Sequence, residues 1–131
     1  MRLYTLAEAR AVLPRVIPLL EHLSRRIAQL QTLEKHVFEE RQMTRSNGHS
    51  HHDGFEAQPA RPPAEAMQEQ IQALAGQLAE MGIEIKDPIR GLIDFYSVRD
   101  GETVFLCFLM GERDISFWHT LDGGFAGRLP L

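Results

Sequence analysis

Two stretches of the chain repeat apolar residues at helical spacing, and a third alternates them as strands do. In the first, Leu6, Ala9, Leu13, Val16, Leu20, Leu23, Ile27 and Leu30 follow at steps of three and four. That spacing lines them along one helical seam. The repeat slips after Leu30, where Leu33 and Val37 come next, and such a slip locally overwinds a coiled coil or marks a change of packing partner. Thr5 with Glu8 has the form of a capping box, so the helix starts near Leu6. Pro14 and Pro18 fall inside the seam. Each removes an amide donor and crowds the carbonyl four residues back, which predicts a kink or break near residues 12–17. A short helix followed by a long one ending near Gln42 is expected.

The second helical stretch carries Met67, Ile71, Leu74, Leu78 and Met81. Pro63 suits its first turn and Gly82 its end. At 1.5 Å per residue the first run spans roughly 55 Å and the second about 28 Å. The shorter helix leaves apolar seam uncovered, which points to a homodimer through the helices, with a coiled-coil character. Between them, residues 43–62 are rich in Gly, Pro, Ser, Asn and Asp with no period, the composition of a loop. About twenty residues is long for a connection inside a compact domain, and such loops are often functional.

From Ile83 the pattern is that of strands. Ile83-Glu84-Ile85-Lys86, Leu92 to Arg99, Glu102 to Met110 and Ile115 to Thr120 are separated by turn residues. Asp100-Gly101 is the dipeptide of a two-residue hairpin turn. It sets Arg99 opposite Glu102, Phe95 opposite Leu106 and Asp94 opposite Cys107. A four-residue second turn sets Cys107 opposite Trp118 and Leu106 opposite His119. One face then carries Ile93, Phe95, Leu106, Phe108, Ile115, Phe117 and His119, and is expected against the helices. The other carries Asp94, Tyr96, Phe105, Cys107, Leu109 and Trp118. A second turn shorter or longer by one residue exchanges the two sets on the last strand. The expected fold is α+β: a long kinked helix and a shorter one as an antiparallel hairpin, packed with a small antiparallel β-meander. A short edge strand at residues 2–4 can join the meander. One domain covers residues 1–131, with the hairpin at about 5–82, the meander at about 83–120 and an irregular tail at 121–131.

Charge adds little to the fold but narrows the partners. The net charge is −4, against the basic face that nucleic-acid binding needs. Up to Arg45 the balance is +3 and beyond it −7, so a basic first helix faces an acidic remainder, as in internal packing or a self-complementary dimer. Neither a membrane span nor a signal peptide is visible, and the single cysteine excludes an internal disulfide. A cytoplasmic protein is expected.

Candidate chemistry lies mainly in the strands. Asp94 interrupts an apolar run and needs a partner. Asp94, Cys107, Trp118, His119 and Arg128 are candidate ligand-binding residues, with Arg128 as an anion clamp partnered by Asp94. His49, His119 and Glu112 are candidate metal ligands, because imidazole and carboxylate suit a divalent transition metal. The site would form if the loop folds His49 back onto the sheet. Cys107 is a third candidate, as a nucleophile or redox thiol. A mid-strand cysteine is more often a small core residue.

The same residues carry a resemblance. Gly91-Leu92 with Asp94-Phe95, Leu106-Cys107, Gly111-Glu112, Trp118-His119, and Arg128 with Pro130 look like the marks of an uncharacterised bacterial family, domain of unknown function 2203. Leu13-Pro14, Asn47-Gly48-His49, Gly82-Ile83 and Lys86-Asp87 are weaker ones. Phe108 departs from it, since a Trp or similar residue often follows the cysteine there. The resemblance implies a helical hairpin with a sheet and a cytoplasmic location, and it implies no activity. Together these observations favour a non-enzymatic interaction or ligand-binding module that dimerises through its helices, with a protein or small-molecule partner. The competing reading is a metal-dependent, hydrolase-like enzyme using His49, His119 and Glu112, with Asp94 as a further candidate, in a site between the 43–62 loop and the sheet.

Overall fold

A computed structural model describes the backbone of residues 1–47 and 63–131 and the side chains of residues 1–42 and 63–131. Helix α1 runs from Leu6 to Asn47 and α2 from Pro63 to Glu80. Strands β1 (Ile83–Asp87), β2 (Leu92–Arg99), β3 (Glu102–Leu109), β4 (Phe117–Thr120) and β5 (Leu129–Pro130) form one antiparallel sheet in sequence order. The expected α+β class, a helical pair with an antiparallel meander, is what the chain adopts.

The helix begins where the capping box places it. The Thr5 amide donates to Glu8 Oε1 at 2.8 Å and the Glu8 amide to Thr5 Oγ1 at 3.1 Å. The Thr5 amide, and after it the Thr5 hydroxyl, stabilise the Glu8 carboxylate and hold it below its ordinary pKa. The expected break at the prolines is absent, since α1 is a single helix through Pro14 and Pro18. Both prolines sit on its exposed side, as do Arg10 and Pro14, whose carbonyls lose their amide partners. Water can satisfy those carbonyls, while Leu13, Val16, Leu20 and Leu23 on the opposite side stay fully buried. Burying each such side chain contributes about 1.5–3 kcal/mol, which offsets the loss of about 3 kcal/mol per interior proline. The helix also continues to Asn47 rather than stopping near Gln42.

The core joins α1, α2 and one face of the sheet. Ala9, Leu13, Val16, Leu20 and Leu23 meet Leu78, and beneath them lie Ile83, Ile93, Phe95, Leu106, Phe108 and Ile115. Residues 2–4 do not form a strand, yet the Tyr4 amide donates to the Tyr96 carbonyl at 2.7 Å and the Ser97 hydroxyl to the Tyr4 carbonyl at 2.6 Å. The Tyr4 ring stands edge-on to Phe95 at 5.1 Å, and its hydroxyl donates to the Met81 carbonyl. One residue thus ties the N-terminus to β2 and to the end of α2.

Two turns decide the sheet's register. Asp100 and Gly101 have φ of 53° and 80°, the positive values of a two-residue hairpin. All the expected β2–β3 pairs follow, Asp94 with Cys107 among them. The second connection differs from expectation by one residue. Leu106 pairs with Trp118, Phe105 with His119 and Cys107 with Phe117. Glu112 sits at the middle of this connection: its Oε1 accepts the Leu109 amide at 2.6 Å, and its own amide donates to the Leu109 carbonyl at 3.0 Å. This closes a loop centred on Glu112 instead of a four-residue turn. The tail is not irregular throughout. It forms a short 3-10 turn at Phe125–Gly127 and returns as β5 beside β4.

Candidate functional site

Because side chains alternate along strands, a register moved by one residue exchanges the two faces of β4. Trp118, expected on the outer face, packs toward the helices against the core, with the Arg99 guanidinium 4.7 Å from its ring. His119, expected toward the helices, lies on the outer face with Asp94 and Cys107. The three side chains come from neighbouring strands β2, β3 and β4, and each is at most 2% exposed.

Their hydrogen bonding is specific. His119 Nδ1 lies 2.7 Å from the Thr120 carbonyl oxygen. A carbonyl only accepts, so Nδ1 carries a hydrogen and donates it. Nε2 then faces Asp94, 3.0 Å from both Oδ1 and Oδ2. The Cys107 thiol donates to the same carboxylate. Burial, then the Asp94 charge and that hydrogen bond, push the thiol up to about 12, only partly opposed by Arg128. Near neutral pH it is therefore a thiol, the opposite of what a nucleophile or redox sensor needs. One donor atom from each of Asp94, Cys107 and His119 lies within 4.8 Å of the other two. Among the described residues this is the group of three or more His, Cys, Asp or Glu side chains able to hold a metal ion.

Aromatic and charged groups frame the three. The Phe105 ring lies 5.4 Å from the His119 ring and 4.6 Å from Tyr96, and Lys86 Nζ stands 4.6 Å above it. The Tyr96 hydroxyl donates to Glu84 at 2.8 Å, which raises its pKa. Beyond Cys107 the tail comes back over the sheet. The Arg128 guanidinium lies 4.1 Å from the Phe117 ring and 4.8 Å from that of Phe125, between them. Its Nη2 donates to both Glu112 oxygens, at 2.7 and 2.9 Å.

The expected partners are thus rearranged. Arg128 is clamped by Glu112 rather than Asp94, and Asp94 is taken by His119. Glu112 does not join His119 as a ligand pair, because it serves the turn and Arg128. His49 and its neighbouring histidines lie outside the described residues. Sequence reasoning missed the Asp94–His119 contact and the role of Glu112. The signal for the first is that Asp94 and His119 are polar positions within apolar strands, and buried polar groups are hydrogen-bonded.

Among the described residues no helix is long and apolar enough to cross a membrane. A family model described as uncharacterized conserved protein (DUF2203) matches residues 2–131, so the chain belongs to that family. No curated protein and no solved structure matches it.

Proposed function

We propose that this member of the uncharacterised family is a non-enzymatic binding module, cytoplasmic and homodimeric, that holds a small ligand on the outer face of its sheet. The observation that carries this reading is the convergence of Asp94, Cys107 and His119. Three buried polar side chains on the face away from the helices do nothing for the hairpin core. Each costs desolvation that an apolar residue would not. They are fixed by strands rather than by loops, as a preorganised binding group must be.

The dimer rests on the helices. Helix α1 has 42 residues and α2 has 18, so much of α1 extends past its partner. On the extension Val37 and Phe38 are 39% and 62% exposed. A second copy packed there would remove this surface from water, and the basic first helix against an acidic remainder would help it. The metal-dependent enzyme is less well supported, because Glu112 is committed to Arg128.

Native mass spectrometry of the full chain, purified without additives, tests the reading. A dimer carrying one non-protein mass per chain is expected. A monomer at the bare chain mass contradicts it, and a bare dimer removes the ligand while leaving the assembly.

A further inference from the structure

We infer that the ligand of the outer-face site is one divalent transition-metal ion of the zinc type, held by Asp94, Cys107 and His119. The inference rests on the binding-module reading and names what that site takes.

The donor set is the first reason. One carboxylate oxygen, one sulfur and one imidazole nitrogen lie within 4.8 Å of one another. Donors at 2.0–2.3 Å from a tetrahedral ion stand roughly 3.4 Å apart. The Asp94–His119 contact of 3.0 Å needs to open by only a few tenths of an ångström, within reach of small side-chain rotations. Thiolate with imidazole selects zinc-like ions over magnesium or calcium, which take oxygen donors.

The tautomer is the second reason. With Nδ1–H given to the Thr120 carbonyl, a neutral His119 turns its Nε2 lone pair toward the Asp94 carboxylate. Two acceptors face each other unless a cation, a proton or a metal ion, lies between them. A backbone carbonyl holding the far nitrogen is also how metal-bound imidazoles are oriented. Charge balance is the third reason. A doubly charged ion with a carboxylate, a thiolate and a neutral imidazole is neutral overall, which suits a fully buried site. Binding deprotonates the thiol, and the proton leaves to solvent. The three protein donors leave a fourth position for water or an exogenous small ligand.

The test uses the full chain, stripped with chelator and titrated with Co²⁺ and then Zn²⁺ alone. One equivalent of Co²⁺ is expected to bind with sulfur-to-cobalt charge-transfer absorption in the near ultraviolet, and Zn²⁺ to bleach it. Cys107→Ser should abolish that absorption and weaken binding by at least about tenfold, the scale seen even for groups that only support a ligand. Replacing His49, His51 and His52 together by Ala should change neither. Asp94→Asn serves as a second variant, and circular dichroism checks that each one folds. Failure of the wild-type chain to retain either ion, whatever the variants do, overturns the inference. So does binding without thiolate absorption, or binding lost only with the three histidines. A native mass spectrum showing an organic ligand and no metal would overturn it while leaving the binding module intact.

Discussion

Replacing Glu112 tests whether the second connection of the sheet, and through it the position of His119, depends on one side chain. Glu112 does two things: it accepts the Leu109 amide and it neutralises Arg128. The Arg128 side chain is 11% exposed and that of Glu112 is 22%. Removing one partner of a buried pair costs about 3–5 kcal/mol. Partial exposure of Glu112 and the stacking of Arg128 on Phe117 and Phe125 reduce this to about 2 kcal/mol. Glu112→Gln keeps an acceptor for Leu109 and should lose that amount. Glu112→Ala also strands the Leu109 amide, adding about 1–2 kcal/mol. Followed by circular dichroism in urea, the midpoint should fall by about 1 M for the first variant and about 2 M for the second, for a slope near 2 kcal/mol/M. Adding Arg128→Met to Glu112→Gln removes the stranded charge and should restore part of the loss. Equal midpoints for the Gln and Ala variants would refute the turn-closing role. Losses under about 0.5 kcal/mol for both would mean that the pair behaves as a solvated surface contact.

Three further outcomes are expected. The Cys107 thiol stands at about 12 when folded, against 9.0 for an ordinary thiol. The unfolded chain therefore releases its proton first, and stability falls from about pH 9 to about pH 12. In metal-free protein, Cys107→Ala should remove one proton's worth of that alkaline slope, read as the difference between the two proteins in urea titrations at each pH; parallel curves would contradict it. Thr5→Ala should cost about 1 kcal/mol through the lost helix cap, measured by thermal unfolding, and no change would show that α1 needs no cap. Gly91 has φ of 74°, and a Cβ there would stand 2.6 Å from Met110 Cβ. Gly91→Ala should therefore cost about 2–4 kcal/mol from the left-handed backbone and the crowding together, and a loss below 1 kcal/mol in the same assay would contradict that geometry.

Local signals with a single structural solution were legible. Thr5 with Glu8 admits one cap, and Asp100-Gly101 admits one hairpin, so the start of α1 and the whole β2–β3 register followed from the chain. Residues whose role depends on distant groups were not. Nothing in Gly111-Glu112-Arg113-Asp114 shows that the Glu112 side chain will reach the Leu109 amide, in the connection whose length sets which face His119 takes. The break expected at the prolines was wrong for a similar reason. Their cost was counted locally, while their four-residue spacing places both on the side of α1 away from the seam. The tail was expected to be irregular because Gly123, Gly124, Gly127 and Pro130 dominate it, and its order comes from Arg128 meeting Glu112 and Phe117. The candidates Asp94, Cys107 and His119 were each singled out from the chain. Their meeting required the parity of one turn.

X-ray absorption at the zinc edge of the zinc-loaded full chain addresses the outer-face site most directly, because it reads the atoms around the ion. One sulfur at about 2.3 Å with nitrogen and oxygen neighbours at about 2.0 Å is the expected shell, and its sulfur should vanish in Cys107→Ser. A shell of nitrogen and oxygen alone, unchanged by that substitution, would show that Asp94, Cys107 and His119 are not the site.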